Sequence, residues 1–464
     1  MTNRKRSAAE ALFFQGTRRM ESGDAGNAES CFRKALQLAP DFAEAYANLA
    51  LLLDRRGDVR TAEIYYRHSL ELGLARAETC LNLGALLAKQ KRFIEAEAAY
   101  REAIDLSPHT PAAWSNLGVL YACMKREKEA EQCYRTAMTL DESYATARFN
   151  LSYLLLRQGK LEEGWSCLEA RNWLAALSAQ LACPRWQGEP LVGKSILIGY
   201  EGGHGDMIQF CRYIPVLKAR GAASITLLCH PALKVLFSSL DGVDSVISFD
   251  APIPSTGFDF WTPPLSLPHH CKTRLDSIPA TIPYLRAQPD RIEKWAPFIP
   301  QDGLRVGLVW KGNPLFDGDT DRSLPSLDVL APLGSVAGVH FISLQKGAGE
   351  MEAMSPPAGL PLIDLGTRLE DFADTAAIVT NLDLVICSDT AIAHLSGALG
   401  IPCWVLLSEY KTDWRWLKSR TDSPWYPGVM RLFRQSKMGD WNTVVAEVSN
   451  ALGQLAAIPH TISR

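Results

Sequence analysis

Apolar and small residues return in the first third of the chain with a strict interval. Segments beginning at Ala9, Ala43, Ala77, Pro111 and Ala145 lie 34 residues apart and carry the same chemistry at the same offsets. Offset seven is Leu49, Leu83, Leu117 and Leu151, with Gln15 as the exception, and offset eight is small throughout: Gly16, Ala50, Gly84, Gly118 and Ser152. A second small column (Ala28, Ala62, Ala96, Ala130, Gly164) precedes a large one (Phe32, Tyr66, Tyr100, Tyr134, Leu168). Within each segment the apolar spacing predicts two helices, with small residues where they approach and large ones filling between hairpins. The departures at Gln15, Gly164 and Arg171 read as caps at the two ends of the array. Offset six holds Asn48, Asn82, Asn116 and Asn150. An amide can donate to and accept from one peptide unit, so this column either grips an extended chain or ties neighbouring helices together.

After this region the periodicity changes. The breaker-rich stretch Cys183–Pro190 leads into apolar runs at Ser195–Ile198, Ser224–Cys229 and Asp244–Ser248, with helical spacing at Met207–Arg220 and Pro231–Ser239. A second series runs through Leu304–Trp310, Val339–Leu344, Leu362–Leu365, Leu384–Cys387 and Cys403–Leu407, with helices near 326–333, 371–381 and 390–399. Alternation of this kind predicts parallel sheets covered by helices. The Pro-rich stretch near 281–303 separates the two series, and a last helix near Asp440–Ala457 is placed to close the pair. The expected organisation is a repeat array over 1–176, a linker over 177–193, α/β domains over 194–300 and 301–440, and a terminal helix and tail over 441–464.

Composition adds exclusions. With 47% hydrophobic and 21% charged residues and a net charge of -3, the chain has a globular composition and lacks the basic excess of a nucleic-acid binder. Its 11 cysteines show no zinc-type spacing and read as reduced thiols. No apolar run is long enough for a membrane helix, and the basic start has too short an apolar stretch for a signal peptide, which predicts a cytoplasmic protein. Asp317-Gly318-Asp319 and Asp319-Thr320-Asp321 satisfy an Asp-x-Asp pattern, but two loop carboxylates fall short of a hard cation's ligand set and read as facing water. His269-His270 reads as a loop feature, so no metal is expected.

Two stretches carry candidate chemistry. GYEGGHGDMIQF, residues 199–210, follows a strand and opens a helix, and reads as a phosphate cradle, a catalytic carboxylate on a turn or a tight corner, with Asp206 as base, cap or both and His204 as a proton relay or a loop histidine. Downstream, a buried strand ends in Ser388-Asp389-Thr390 and a helix begins, with His394 about a turn inside. A helix start offers backbone N–H groups and partial positive charge to a diphosphate, and the alternative is an ordinary cap with a packed histidine. No G-x-G-x-x-G follows a strand, which argues against a dinucleotide oxidoreductase.

The 34-residue pattern resembles the tetratricopeptide repeat over residues 9 to about 176. In the arrays of O-GlcNAc transferases an asparagine ladder holds peptide, so this resemblance assigns Asn48, Asn82, Asn116 and Asn150 to a protein partner. The region from about 186 to 456 resembles family 9 glycosyltransferases, the heptosyltransferase type, and more closely bacterial tetratricopeptide proteins fused to such a domain. The matching segments include Gly205-Asp206, Val306–Pro314, Arg322–Pro325, Ser343–Gly347, Asp371–Ala376, Asp413–Trp416, Ser423–Pro427 and the Asp389-Thr390-x-x-x-His394 motif. The resemblance implies a tetratricopeptide α-solenoid followed by a GT-B pair of Rossmann-like domains, with Asp206 as base and His204 beside it. Ser388, Asp389, Thr390 and His394 would hold a nucleotide-sugar, together with Lys311, Asn313, Arg322 and Lys346. Where the family has Gly after Asp-Thr this chain has Ala391, whose methyl narrows the approach to a phosphate. The implied function is metal-independent, inverting sugar transfer without a cofactor to a protein acceptor, flagellin-like proteins being one such target. The alternatives are heptosyl-type transfer to a glycolipid and a non-catalytic scaffold with a degenerate transferase fold.

Overall fold

The computed structural model describes residues 3–73, 76–179, 181–252, 254, 257–316 and 318–458. The chain forms two compact units, Met1–Leu154 and Leu155–Arg464.

The first unit is a run of antiparallel helix pairs: Asn3–Glu21 with Ala25–Leu38, Ala43–Arg56 with Val59–Glu71, Ala77–Lys89 with Phe93–Leu106, and Pro111–Cys123 with Glu127–Leu140. The offset-eight column is small because the large column of the same hairpin lies against it. A Cβ added at Gly84 would stand 2.6 Å from the Tyr100 ring, and one at Gly118 would stand 2.7 Å from Tyr134. The polar surface repeats as well. Glu29–Arg33, Glu63–Arg67, Glu97–Arg101 and Glu131–Arg135 are all i,i+4 ion pairs. Arg92 reaches back to Glu63 at 2.6 Å and Arg126 to Glu97 at 2.9 Å, so the acidic column also links successive hairpins.

The unit boundary falls within the helix Ala145–Arg157. The last repeat helix, Leu161–Leu168, belongs to the second unit, and its sequence shows why. Where the other copies have Glu and Arg it has Trp165 and Glu169, and where they have Ala or Ser it has Arg171. Trp165 is buried, donates its indole N–H to the Thr273 carbonyl at 3.0 Å and packs edge-on against Trp414. Arg171 is therefore not a solvent-facing cap. Its guanidinium is buried and bonds Glu201 at 2.5 and 3.2 Å, Ser266 at 2.8 Å and Glu169 at 3.0 Å.

Two parallel sheets follow. Strands β1 (Ser195–Ile198), β2 (Ser224–Cys229), β3 (Ser245–Ser248) and β4 (Phe260–Thr262) are ordered β3-β2-β1-β4. Strands β5 (Leu304–Val309), β6 (Val339–Ser343), β7 (Leu362–Asp364), β8 (Leu384–Ser388), β9 (Cys403–Leu407) and β10 (Met430–Arg434) are ordered β10-β9-β8-β5-β6-β7. Every pairing is parallel, for example Val306↔Leu384 and Val385↔Cys403. β5, β8 and β9 are almost wholly buried, as strands covered on both faces must be.

Four expected elements differ. The helix expected over Met207–Arg220 is broken into His204–Phe210, a 3-10 turn at Cys211–Tyr213 and Ile214–Ala219, because Pro215 cannot supply the N–H a continuous helix needs. The 326–333 helix is a 3-10 stretch, Leu327–Ser335, with Pro332 inside it. His269 and His270 lie on a short helix, Leu267–His270, not on a loop, and the His270 ring packs on Trp186. The Pro-rich 281–303 stretch contains the helix Pro289–Trp295, whose Arg291 and Trp295 bond Asp374 of the helix Phe372–Thr380. The final helix Trp441–Ala456 packs Val444, Val445, Val448 and Leu452 into the core of the second sheet.

Candidate functional site

The carboxyl ends of β1 and β8 deliver the two candidate stretches to one place. Gly202, at φ +75°, turns the chain after β1, and Gly203 becomes the N-cap of the helix His204–Phe210. Asp206 is the third residue of that helix, not its cap, and reaches back to accept from the Gly203 N–H at 2.6 Å. Behind the turn Glu201 is buried and accepts from Arg171, from the Trp173 indole at 2.7 Å and from the Leu265 N–H at 3.3 Å. The glycine-rich segment is thus pinned from beneath.

The helix Ala391–Leu399 faces it from the second sheet. A Cβ at Gly205 would lie 2.8 Å from His394 Cδ2 and 3.4 Å from the Ala391 Cα, so glycine at 205 lets the two helices meet. Thr390 is the N-cap of this helix, yet neither it nor Asp389 caps it through a side chain. Ser388 Oγ is buried and meets no hydrogen-bond partner among the described residues, while Thr390 Oγ1 and Trp416 Nε1 are buried beside Cys387 and Asp389. His394 is buried, its Nδ1 is 2.9 Å from the Tyr426 hydroxyl and its ring stacks on Trp416. Burial, then the charges of Arg415, Arg212 and Arg322, holds His394 well below the usual imidazole range, so it is neutral at pH 7. Burial and the nearby Asp413 push Asp389 up to about 6.

Arg415 lies in the matching segment Asp413–Trp416, to which the sequence assigned no role, and it occupies the centre. Its guanidinium bonds the Asp206 carboxylate, Gln209 Oε1 at 2.6 Å and both Asp413 oxygens at 3.1 Å. It sits in the 3-10 turn Trp414–Trp416, directly before Leu417, which is held at φ +54° and ψ -174°, a region a bulky side chain rarely adopts. Arg212, also buried, joins the halves by donating to the Trp425 carbonyl at 2.6 Å and the Tyr284 hydroxyl at 2.9 Å.

The other expected residues divide. Arg322 lies close enough for its charge to act on both Asp389 and His394, but its Nε donates to Asp319 at 3.0 Å. Asp319 does not face water. It is buried and also accepts from the Ser323 hydroxyl at 3.0 Å, while Asp317 lies outside the described residues. Lys311 is ion-paired with Glu352, which the Trp310 indole also holds at 2.9 Å. Lys346 is half exposed beside Glu350, and Asn313 closes a local turn by accepting from the Leu315 N–H at 3.0 Å. The His204 ring packs on His230 and Phe372, and its buried Nε2 meets no partner. Burial and His230 pull His204 down to about 4, so it carries no charge at pH 7. No group of three or more metal-ligating side chains occurs among the described residues.

In the repeats, Asn48, Asn82, Asn116 and Asn150 are all partly exposed at equivalent helix positions. Asn48 Nδ2 lies 3.4 Å from Thr17 Oγ1 and Asn150 Nδ2 lies 3.3 Å from Ser115 Oγ, so these two also tie neighbouring hairpins.

Comparison with known proteins bears on the repeats most directly. Tetratricopeptide-repeat family models match residues 9–42, 31–64 and 73–143, which makes the first unit a tetratricopeptide array with the protein-binding architecture of that repeat. A curated relative, Protein FlbA of Caulobacter vibrioides, is 27% identical over 332 residues, covering 66% of this chain and 54% of that protein. The chain therefore spans about half the length of this relative. Among solved structures, Pseudomonas aeruginosa pilF is 24% identical and covers 36% of this chain and 76% of its own at a TM-score of 0.34. MamA from Desulfovibrio magneticus RS-1 is 16% identical and covers 38% and 97% at a TM-score of 0.32. No helix among the described residues is long and apolar enough to cross a membrane.

Proposed function

We propose that the second unit is a metal-independent, inverting glycosyltransferase of the GT-B type, and that the repeats bind its protein acceptor. The observation that carries this reading is the close approach of Gly205 to His394 and Ala391, where a Cβ at 205 would lie 2.8 Å from His394 Cδ2, which sets the helix holding Asp206 against the helix that follows Ser388-Asp389-Thr390. Two parallel sheets, each with a candidate stretch at the carboxyl end of a strand, suit a nucleotide-sugar, and the buried Ser388, Thr390 and Trp416 donors suit its diphosphate. In the step, the acceptor hydroxyl gives its proton to Asp206 as its oxygen bonds the anomeric carbon. The bond from that carbon to the diphosphate oxygen breaks, and the nucleoside diphosphate leaves with the electron pair. Arg415 and Arg322 face the developing negative charge. Neutral His394 can donate to or accept from the sugar or phosphate without adding charge.

The expected outcome is a rise in melting temperature with nucleoside diphosphates and their sugars, and sugar transfer that Asp206→Asn abolishes. Transfer unchanged in that variant removes Asp206 as base. A second reading, a scaffold with a degenerate transferase fold, is favoured by the internal pairing of Lys311 with Glu352 and of Arg322 with Asp319. A wild type that binds and turns over no nucleotide-sugar would establish it. The sugar and the acceptor, flagellin-like or glycolipid, are distinguished by mass spectrometry of the modified product.

A further inference from the structure

We propose that Arg415 is a positioning residue that masks Asp206 until a nucleoside diphosphate arrives and then exchanges the carboxylate for the diphosphate. This rests on the transferase reading of the same cleft. Both oxygens of Asp206 are engaged, Oδ1 by the Arg415 guanidinium and Oδ2 by the Gly203 N–H at 2.6 Å. A base so held, in a side chain only 24% exposed, cannot meet an acceptor hydroxyl at Oδ1. Arg415 is shared among carboxylates: it contacts Asp206 and Asp413, and its charge also reaches Asp389 and His394 at the start of the opposing helix.

That second neighbourhood holds Ser388 Oγ, buried and without a partner among the described residues, with the Thr390 hydroxyl and the Trp416 indole N–H buried beside Cys387 and Asp389, and Trp416 is the residue after Arg415. A diphosphate placed on those donors brings more than one negative charge within reach of the same guanidinium. It therefore competes with Asp206 before Asp413, whose Oδ1 also accepts from the Arg415 backbone N–H at 2.9 Å and stays with the turn. The strained Leu417 marks the end of the segment that has to shift. Acceptor activation then waits for the donor, because the base is released only when the donor holds Arg415.

Linkage makes the exchange measurable without turnover: whatever Asp206 gains from Arg415, a diphosphate must overcome. Titration calorimetry of the full chain with UDP, GDP and ADP is the test. Asp206→Asn, which keeps the Gly203 bond but weakens the hold on Arg415, is expected to tighten nucleoside diphosphate binding about tenfold. Arg415→Gln is expected to weaken it by about tenfold or more, Arg415→Lys less, and the double variant should bind like Arg415→Gln alone. A structural role for the ion pair predicts the opposite sign for Asp206→Asn. Affinity unchanged or weakened in Asp206→Asn overturns the exchange while leaving the transferase reading intact. Failure of the wild type to bind any of the three diphosphates overturns that reading and the exchange with it. Should Arg415→Gln not fold, Asp206→Asn and Arg415→Lys still decide the matter.

Discussion

Replacing Arg171 by Met tests whether the last repeat helix is part of the second unit's fold. The guanidinium is 0% exposed and donates to Glu201 twice, to Ser266, to Glu169 and to the Leu168 carbonyl. Removing it strands the Glu201 carboxylate, itself 1% exposed, with the Trp173 indole and the Leu265 N–H as its remaining donors among the described residues. Breaking a buried pair from one side costs about 3–5 kcal/mol, whereas replacing both members by apolar residues recovers much of that. Glu201→Gln should cost less, because Arg171 keeps Glu169 at 3.0 Å and the new amide oxygen still accepts. Tryptophan fluorescence is a selective probe, since Trp114 is the one tryptophan of 12 that precedes residue 155. Under denaturant the fluorescence midpoint of Arg171→Met should fall while the helical signal of the first unit holds. Arg171→Met with Glu201→Leu should restore part of the loss. A loss below about 1 kcal/mol, or an equal loss in both signals, refutes the assignment of this helix to the second unit.

Three further outcomes follow from the geometry. Gly205→Ala should lose about 1–3 kcal/mol from overpacking against His394 and weaken nucleoside diphosphate binding, and an unchanged melting temperature would show that the helices can separate freely. Asp389, raised from 3.8 to about 6, binds more protons folded than unfolded between those values, so its burial lowers stability as pH rises through that window. Asp389→Asn should therefore gain up to about 3 kcal/mol at pH 8 and nothing at pH 3.5, and a pH-independent gain refutes the cause given. Asn48→Ala and Asn150→Ala should each cost about 0.5–1 kcal/mol through the lost Thr17 and Ser115 contacts, while Asn82→Ala and Asn116→Ala should be near neutral in stability. If the column grips a peptide, all four weaken its binding alike.

The repeats were legible because each hairpin must satisfy the same close contact, Gly84 under Tyr100 and Gly118 under Tyr134, and so repeats the same residues. A strand such as β9 was legible because burial on both faces writes an unbroken apolar run. β4 is three residues in an aromatic and Pro-rich stretch, too short for a period to show, and Met430-Arg431-Leu432-Phe433-Arg434 breaks the alternation of β10 at Leu432-Phe433. The centre of the site was not legible. Arg415 meets Asp206 across 209 positions and Lys311 meets Glu352 across 41, and no local pattern announces such pairs. The docking of the last repeat did leave a trace, in the Glu and Arg columns that become Trp165 and Glu169.

That break in the columns makes repeat number a one-sided variable. A hairpin copied from within Ala43–Leu140 brings its own Glu–Arg pair and its own small-under-aromatic contact, so it can be inserted beside its like. The copy that starts at Ala145 cannot be duplicated in the same way, since a second Arg171 and Trp165 would have no Glu201 and no Trp414 to meet. Lengthening or trimming of the array, by recombination or by design, is free on one flank and forbidden on the other. The outer hairpins can thus vary in number while the helix that holds Trp165, with Arg171 behind it, stays fixed.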